Sequence, residues 1–382
     1  MLRCRQADKD LPYRIPVITN IATGTKIGGR SIALTKFTTG DIPDIYMHFG
    51  NSNLLNFNVE ENFYDFSDAE WVEDIQDSVL PQTKVDGKVY GLPFWEASIS
   101  GCFYNKQIFE EQGIEIPTTQ EEFNAACDTL VEAGIQPIYM AVSDAWPVLY
   151  QYALDPVFDS EEGEVLLEQL NNNEITYADI PEVTDMLNWF KMAAERGWLG
   201  ESFMTDTWDY SSEVLGTGEA AMMFGWDTWF DTDYDSESYD YTSDDFGIMP
   251  VFWGTADEGT YEGPNVELTM VNKNSENVEE ALDFVNFMAQ PENYNVAFDG
   301  VSTYPVFKSQ TTNIISSQAE EAADSIDTLA RASVAQPRII GYSQSEGGKA
   351  IQELIGGNIT VEECIKLMDD DRIATLQSFL QE

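Results

Sequence analysis

The chain has 382 residues, 43% hydrophobic and 12% aromatic, which is ample for folded cores and long for a single one, so two domains are expected. Its formal net charge is −49, from 68 acidic and 19 basic side chains. A field of that sign repels phosphate backbones and anionic membranes, which argues against nucleic acid as a partner. One histidine, His48, excludes metal sites built from several histidines and most triad or general-base schemes.

No run reaches the ~18–20 apolar residues that span a membrane. Cys4, Cys102, Cys127 and Cys364 are far apart and form no C-x-x-C pair, so neither a zinc site nor a disulfide framework is indicated. Met1-Leu2-Arg3-Cys4 is followed by charge with no apolar segment, so no signal peptide is read here.

In chain order, residues 14–22 suit a strand and residues 31–37 a short helix end. Gly40 to Gly50, G-D-I-P-D-I-Y-M-H-F-G, gives a proline turn and a buried strand over 45–49. His48, Phe49, Asn51 and Asn53 would emerge at its C-terminal end, where open α/β sheets bind ligands. Residues 68–80 suit a helix with Trp71, Ile75 and Val79 on one face. Lys84 to Lys106 opens on an Asp86-Gly87 turn, carries two apolar runs, and holds Phe94, Trp95 and Glu96 between them. An apolar ring beside an acceptor suits a polar ligand with a flat apolar face, such as a sugar.

Next come a helix over 105–112 stopped by Gly113, and a capping box with Thr119 and Glu122 that opens a helix over 120–133. A strand over 138–142 leads into Ser143-Asp144-Ala145-Trp146. This alternation predicts an α/β fold with largely parallel pairing. Helices are predicted over 146–154, 161–170 and 180–196. A strand over 220–224 opens into Gly225-Trp226-Asp227-Thr228-Trp229. The acidic stretch 231–245 has carboxylates at alternate positions but lacks the glycine and closing glutamate of a calcium loop, so a solvated loop is expected. Strands over 246–250 and 267–271 follow, then a helix from Asn277 and an extended crossing over 300–307. The remaining predicted helices are 318–332, 347–355 and 361–379, with Asp369-Asp370-Asp371 on a solvated face.

Seven segments together resemble extracellular solute-binding proteins of carbohydrate ABC transporters, the maltose-binding-protein-like family. They are G-D-I-P-D (40–44), K-V-Y-G-L-P-F (88–94), F-Y-N-K (103–106), I-P-T-T-Q-E-E-F (116–123), T-G-E-A-A-M-M (217–223), V-N-K-N-S-E-N-V-E-E-A-L-D-F-V-N-F-M (271–288) and G-V-S-T-Y-P (300–305). The resemblance covers about residues 36–380. It implies a two-lobe type II periplasmic-binding-protein-like fold with three crossovers, near 102–106, 263–267 and 304–307. One lobe would be 1–104 with 266–304, the other 105–265 with 305–382. It further implies sugar capture between closing lobes, delivery to permease subunits, a monomer without cofactor or metal, and a place on the outer membrane face, lipid-anchored, or in the periplasm. Residues 1–35 do not match the family's first strand and helix, so an incomplete first lobe is expected.

Carried over by position, ligand contacts would come from His48, Asn51, Trp95, Glu96, Asp144, Trp146, Trp226 and Trp229. Each has a plain alternative: core tryptophan, exposed carboxylate, turn asparagine or partly buried histidine. Two other functions stay open, a truncated non-binding scaffold and a glycoside-acting enzyme. The second needs two carboxylates about 5–10 Å apart, and G-Y-S-Q-S at 341–345 lacks the last glycine of a nucleophile elbow.

Overall fold

The computed structural model describes residues 42–49, 57–77, 79–93, 97–253 and 258–380. Strands among the described residues run in the order β1 (Ile45–Phe49), β2 (Lys84–Val85), β3 (Lys88–Val89), β4 (Leu92–Pro93), β5 (Ser98–Asn105), β6 (Gln136–Tyr139), β7 (Ala220–Trp226), β8 (Phe246–Met249), β9 (Tyr261–Asn265), β10 (Glu267–Val271) and β11 (Ala330–Arg331). They form two main sheets, one for each lobe. The first has the order β1-β10-β4, and the second β11-β9-β5-β7-β6 with β8 also on β5. The Asp86-Gly87 turn closes a small hairpin of β2 and β3, both residues taking positive φ as a tight hairpin requires.

Period-2 and period-3.6 patterns explain most elements. All five residues of β10, E-L-T-M-V, are buried, as a middle strand covered on both faces demands. Helix Gln120–Glu132 starts where Thr119 Oγ1 accepts from the Glu122 amide at 3.2 Å, while the Glu122 carboxylate reaches back to Thr118. It buries Phe123, Cys127 and Leu130. Helix Pro181–Glu195 buries Val183, Met186, Leu187 and Phe190.

Three hydrophobic clusters result. One gathers residues from Ile45 to Ala97 and from Val266 to Phe307. The other two cover opposite faces of the second sheet, from Cys102 to Met368 on one side and around Phe103, Met223 and Trp229 on the other. The chain passes between the first cluster and these at 97–99, 261–266 and 307–315. The first passage lies ahead of the crossing implied at 102–106, because β5 already pairs with β9 at Ser98 and with β7 at Ser100.

Several expectations are corrected. Pairing among the described residues is mostly antiparallel; of the strand pairs only β6–β7 and β11–β9 are parallel, beside an isolated parallel bridge between Ser302 and Ile314. Strands that shuttle between two lobes return against their neighbours, so helix–strand alternation overstates parallel order. Residues 68–80 make two 3-10 turns, Glu70–Asp74 and Leu80–Thr83, not one helix; Ile75 is extended and bridges Phe307. The predicted helix 146–154 is broken by Ala145 and Leu149, both at positive φ, and starts only at Gln151. The 318–332 helix splits into Ser317–Glu321 and Ala323–Leu329 before β11. Asp369 does not lie on a solvated face: it is buried, accepts the Tyr177 amide on both oxygens, and pairs with the fully buried Arg372.

Candidate functional site

β6 and β7 are parallel neighbours, so their C-terminal ends emerge on the same edge of the second sheet. Beyond β6 the chain makes a 3-10 turn, Val142–Asp144, then reverses at Ala145, with φ 63°, into Trp146–Val148. That sparsely populated backbone is held from outside. Gln344 Nε2 donates to the Trp146 carbonyl at 2.7 Å. Helix Gln344–Ile355 lies so close that a Cβ on Gly348 would stand 2.1 Å from the Ala145 carbonyl oxygen. Only glycine permits that approach.

A second loop is fastened to the same turn by two bonds and to the end of β6 by a third. The Ser143 amide donates to the Asp206 carbonyl at 3.0 Å. Tyr139 Oη donates to the Thr207 carbonyl at 2.7 Å. Asp144 Oδ2 accepts from the Trp208 amide at 2.6 Å. These ties set Trp208 beside Trp146 and Trp226. Ring centroids are 4.8 Å apart for Trp146–Trp208, 5.4 Å for Trp208–Trp226 and 6.2 Å for Trp146–Trp226, and Trp208 and Trp226 lie within 14° of parallel. All three are half-buried, so the cluster presents aromatic surface to solvent.

Two carboxylates bond to it, Asp144 through the Trp208 amide and Asp233 through the Trp208 side chain. Partial burial pushes the Asp206 carboxyl up, opposed by a hydrogen bond from Ser202, and its Oδ2 has no protein partner. Partial burial raises Asp233 as well, opposed by the Trp208 side chain. Burial, followed by the nearby Asp206, raises Tyr139. Among the described residues, no group of three or more His, Cys, Asp or Glu side chains is placed to hold a metal ion.

Of the sequence-derived candidates, Asp144, Trp146 and Trp226 are brought together. Trp229 is fully buried in the core cluster, edge-on to Trp208 at 6.2 Å. The short helix Trp229–Thr232 turns it inward, so it backs the cluster instead of facing solvent. His48 sits in β1 opposite Leu268, with its side chain outside the described residues. Asn51, Trp95 and Glu96 also lie outside them. Sequence reasoning missed Trp208. Its one signal is a tryptophan inside the polar stretch T-D-T-W-D-Y, which carries no helical or strand period.

The arrangement offers flat apolar rings flanked by hydrogen-bond acceptors. Such a surface takes up a neutral polyol with an apolar C–H face, and the carboxylates repel anions.

Comparison with known proteins bears on this geometry. Residues 28–295 match the family described as bacterial extracellular solute-binding protein. The multiple sugar-binding protein of Streptococcus mutans is 26% identical over 139 residues, 36% of this chain and 33% of that protein. The matched stretch thus spans about a third of that relative's length. A sugar transporter protein of Bacillus licheniformis in complex with stachyose superposes with a TM-score of 0.72 at 21% identity, covering 91% of this chain and 89% of that one. A solute-binding protein in complex with raffinose gives 0.72 at 16% identity, covering 93% and 90%. At such identities the structural likeness shows the two-lobe α/β fold.

Proposed function

The chain belongs to the bacterial extracellular solute-binding protein family, and we propose that within it the chain is a carbohydrate receptor. It captures a neutral mono- or oligosaccharide between two closing lobes and hands it to the permease of an ABC importer. The observation that carries this reading is the partly exposed Trp146–Trp208–Trp226 cluster at the strand ends, with Asp144 hydrogen-bonded into it. A pyranose stacks its C–H face on indole, and its hydroxyls donate to carboxylates. The family is one of binding proteins, and the reading involves no covalent chemistry.

The lobes of this reading follow the hydrophobic clusters. His48, Asn51, Trp95 and Glu96 would supply the facing wall from the first lobe. Closure buries the sugar between the walls, and the binding free energy offsets the ordering of the lobes. Family membership favours a site of action outside the cytoplasmic membrane, and among the described residues no helix is long and apolar enough to cross one. Attachment by a lipid and a monomeric state complete the reading.

Tryptophan fluorescence tests it. Titration with melibiose, raffinose, stachyose and maltotriose should give a saturable shift for at least one sugar, with that sugar recovered unchanged. No response to any of them sinks the receptor reading, and recovery of a cleaved sugar would place the chain among enzymes.

A further inference from the structure

We propose that Asp227 is the joint through which occupancy of the tryptophan face reaches the strand that crosses between the lobes, an inference that rests on the receptor reading. Asp227 directly follows Trp226 and is 1% exposed. Its Oδ1 accepts from the Ile99 amide at 2.8 Å, and its own amide donates to the Ile99 carbonyl at 2.9 Å. Its Oδ2 accepts from Ser316 Oγ at 2.9 Å, and that same hydroxyl oxygen accepts from the Ala319 amide at the start of helix Ser317–Glu321.

Ile99 lies at the first passage between clusters. Two residues earlier, the Ala97 amide donates to Thr303 Oγ1 at 2.9 Å, and the Tyr304 amide donates to the Ala97 carbonyl at 2.8 Å. The first crossing strand is therefore tied on one side to the segment 303–304. On the other side it is tied to the residue beside Trp226. Ser316 adds a tie to the chain just past the third passage. One carboxylate thus links a ring of the candidate site to two of the three segments that any lobe rotation must bend.

The hydrogen-bond partners of Asp227 are neutral, and burial pushes the carboxyl up to about 6 against the bonds from Ile99 and Ser316. A buried carboxylate without a cation costs free energy at neutral pH, and a group kept under that penalty marks a functional candidate. The shape of the joint needs acceptance from Ile99 and a bond to Ser316, which asparagine can also make.

Wild-type protein, Asp227→Ala and Asp227→Asn are titrated with raffinose and followed by tryptophan fluorescence and small-angle scattering. The wild type should quench and contract. Asp227→Ala should still quench at saturating raffinose while its contraction falls below about half of the wild-type value, and Asp227→Asn should restore contraction. Contraction of Asp227→Ala by the full wild-type amount overturns the joint while leaving the receptor reading intact. A wild type that neither quenches nor contracts with raffinose, nor with melibiose, stachyose or maltotriose in its place, overturns the receptor reading and the joint with it. If Asp227→Ala fails to fold, Ser316→Ala carries the test: reduced contraction supports the joint, and wild-type contraction overturns it.

Discussion

The second lobe holds two tryptophan clusters built from the same residue type, and they differ in surroundings. Trp189, Trp198 and Trp253 lie within the core, with Trp189 and Trp253 stacked at 5.8 Å and Trp253 1% exposed. The indole N–H of Trp189 donates to Asn124 and that of Trp198 to Asp128, while that of Trp253 is buried with no hydrogen-bond partner. Trp146, Trp208 and Trp226 are only partly buried, stand on loops and a strand end, and have two carboxylates, Asp144 and Asp233, bonded to Trp208. The lesson is that ring-to-ring distance does not separate a core from a binding face. Backbone context and incomplete burial do.

Four experiments sharpen or break this contrast, taken from the largest effect down. Trp253→Ala should remove about 3–5 kcal/mol of stability by leaving a cavity among Trp189, Phe190 and Phe224. Thermal melts without sugar would show it, and an unchanged melt would erase the distinction from the core side.

The next effect is set by pH. The folded Asp227 carboxyl titrates at about 6, above its unfolded value, so its stability contribution is full below about 4 and is lost as pH rises through about 6. Taking pH from 7.5 to 5 should therefore stabilise the wild type, by about 1.4 kcal/mol from this group. Asp227→Asn should show less of that gain, and Trp253→Ala should keep all of it. Burial also raises both carboxyls of the Asp155–Glu262 pair, which adds to the gain with the same sign. Equal pH profiles in wild type and Asp227→Asn would contradict the assignment.

Gly348→Ala should cost about 1–3 kcal/mol through overpacking against the Ala145 carbonyl, and should weaken sugar binding by displacing the Asp144–Trp146 turn. Calorimetric titration that finds wild-type affinity would show that the turn does not contact sugar. Trp226→Ala should weaken binding at least tenfold, about 1.4 kcal/mol, with little change in the melt of the unliganded protein. A large fall in that melt would return Trp226 to the core.

How much was legible in the sequence follows the same contrast. Buried elements with regular period, such as the Phe123-Cys127-Leu130 stripe or the run A-A-M-M-F, could be read because burial imposes a repeat. Asp144, Trp146 and Trp226 could be placed because each follows such a run. Trp208 could not, since its position depends on three bonds to the end of β6 and the turn after it, more than sixty residues earlier. Asp227 read as a polar residue between two tryptophans, and nothing local announces that its partners are Ile99 and Ser316. β9 was hidden because Y-E-G-P-N carries the glycine and proline of a loop. Asp369 looked exposed within its acidic run because its neutralising contact, Arg372, packs inward on the same helix.

β5 has a further consequence, for synthesis. It ends at Asn105, yet one of its edges waits for β7 at Ala220–Trp226 and the other for β8 and β9, which end at Asn265. At ribosomal rates of about 5–20 residues per second, that central strand lacks its full set of partners for roughly 10–30 s. The second sheet therefore cannot close on a partial chain, and the nascent protein remains threadable through a membrane pore until its middle third has been made. Protease protection of residues 98–105 in stalled nascent chains should begin only once residue 265 has cleared the ribosome.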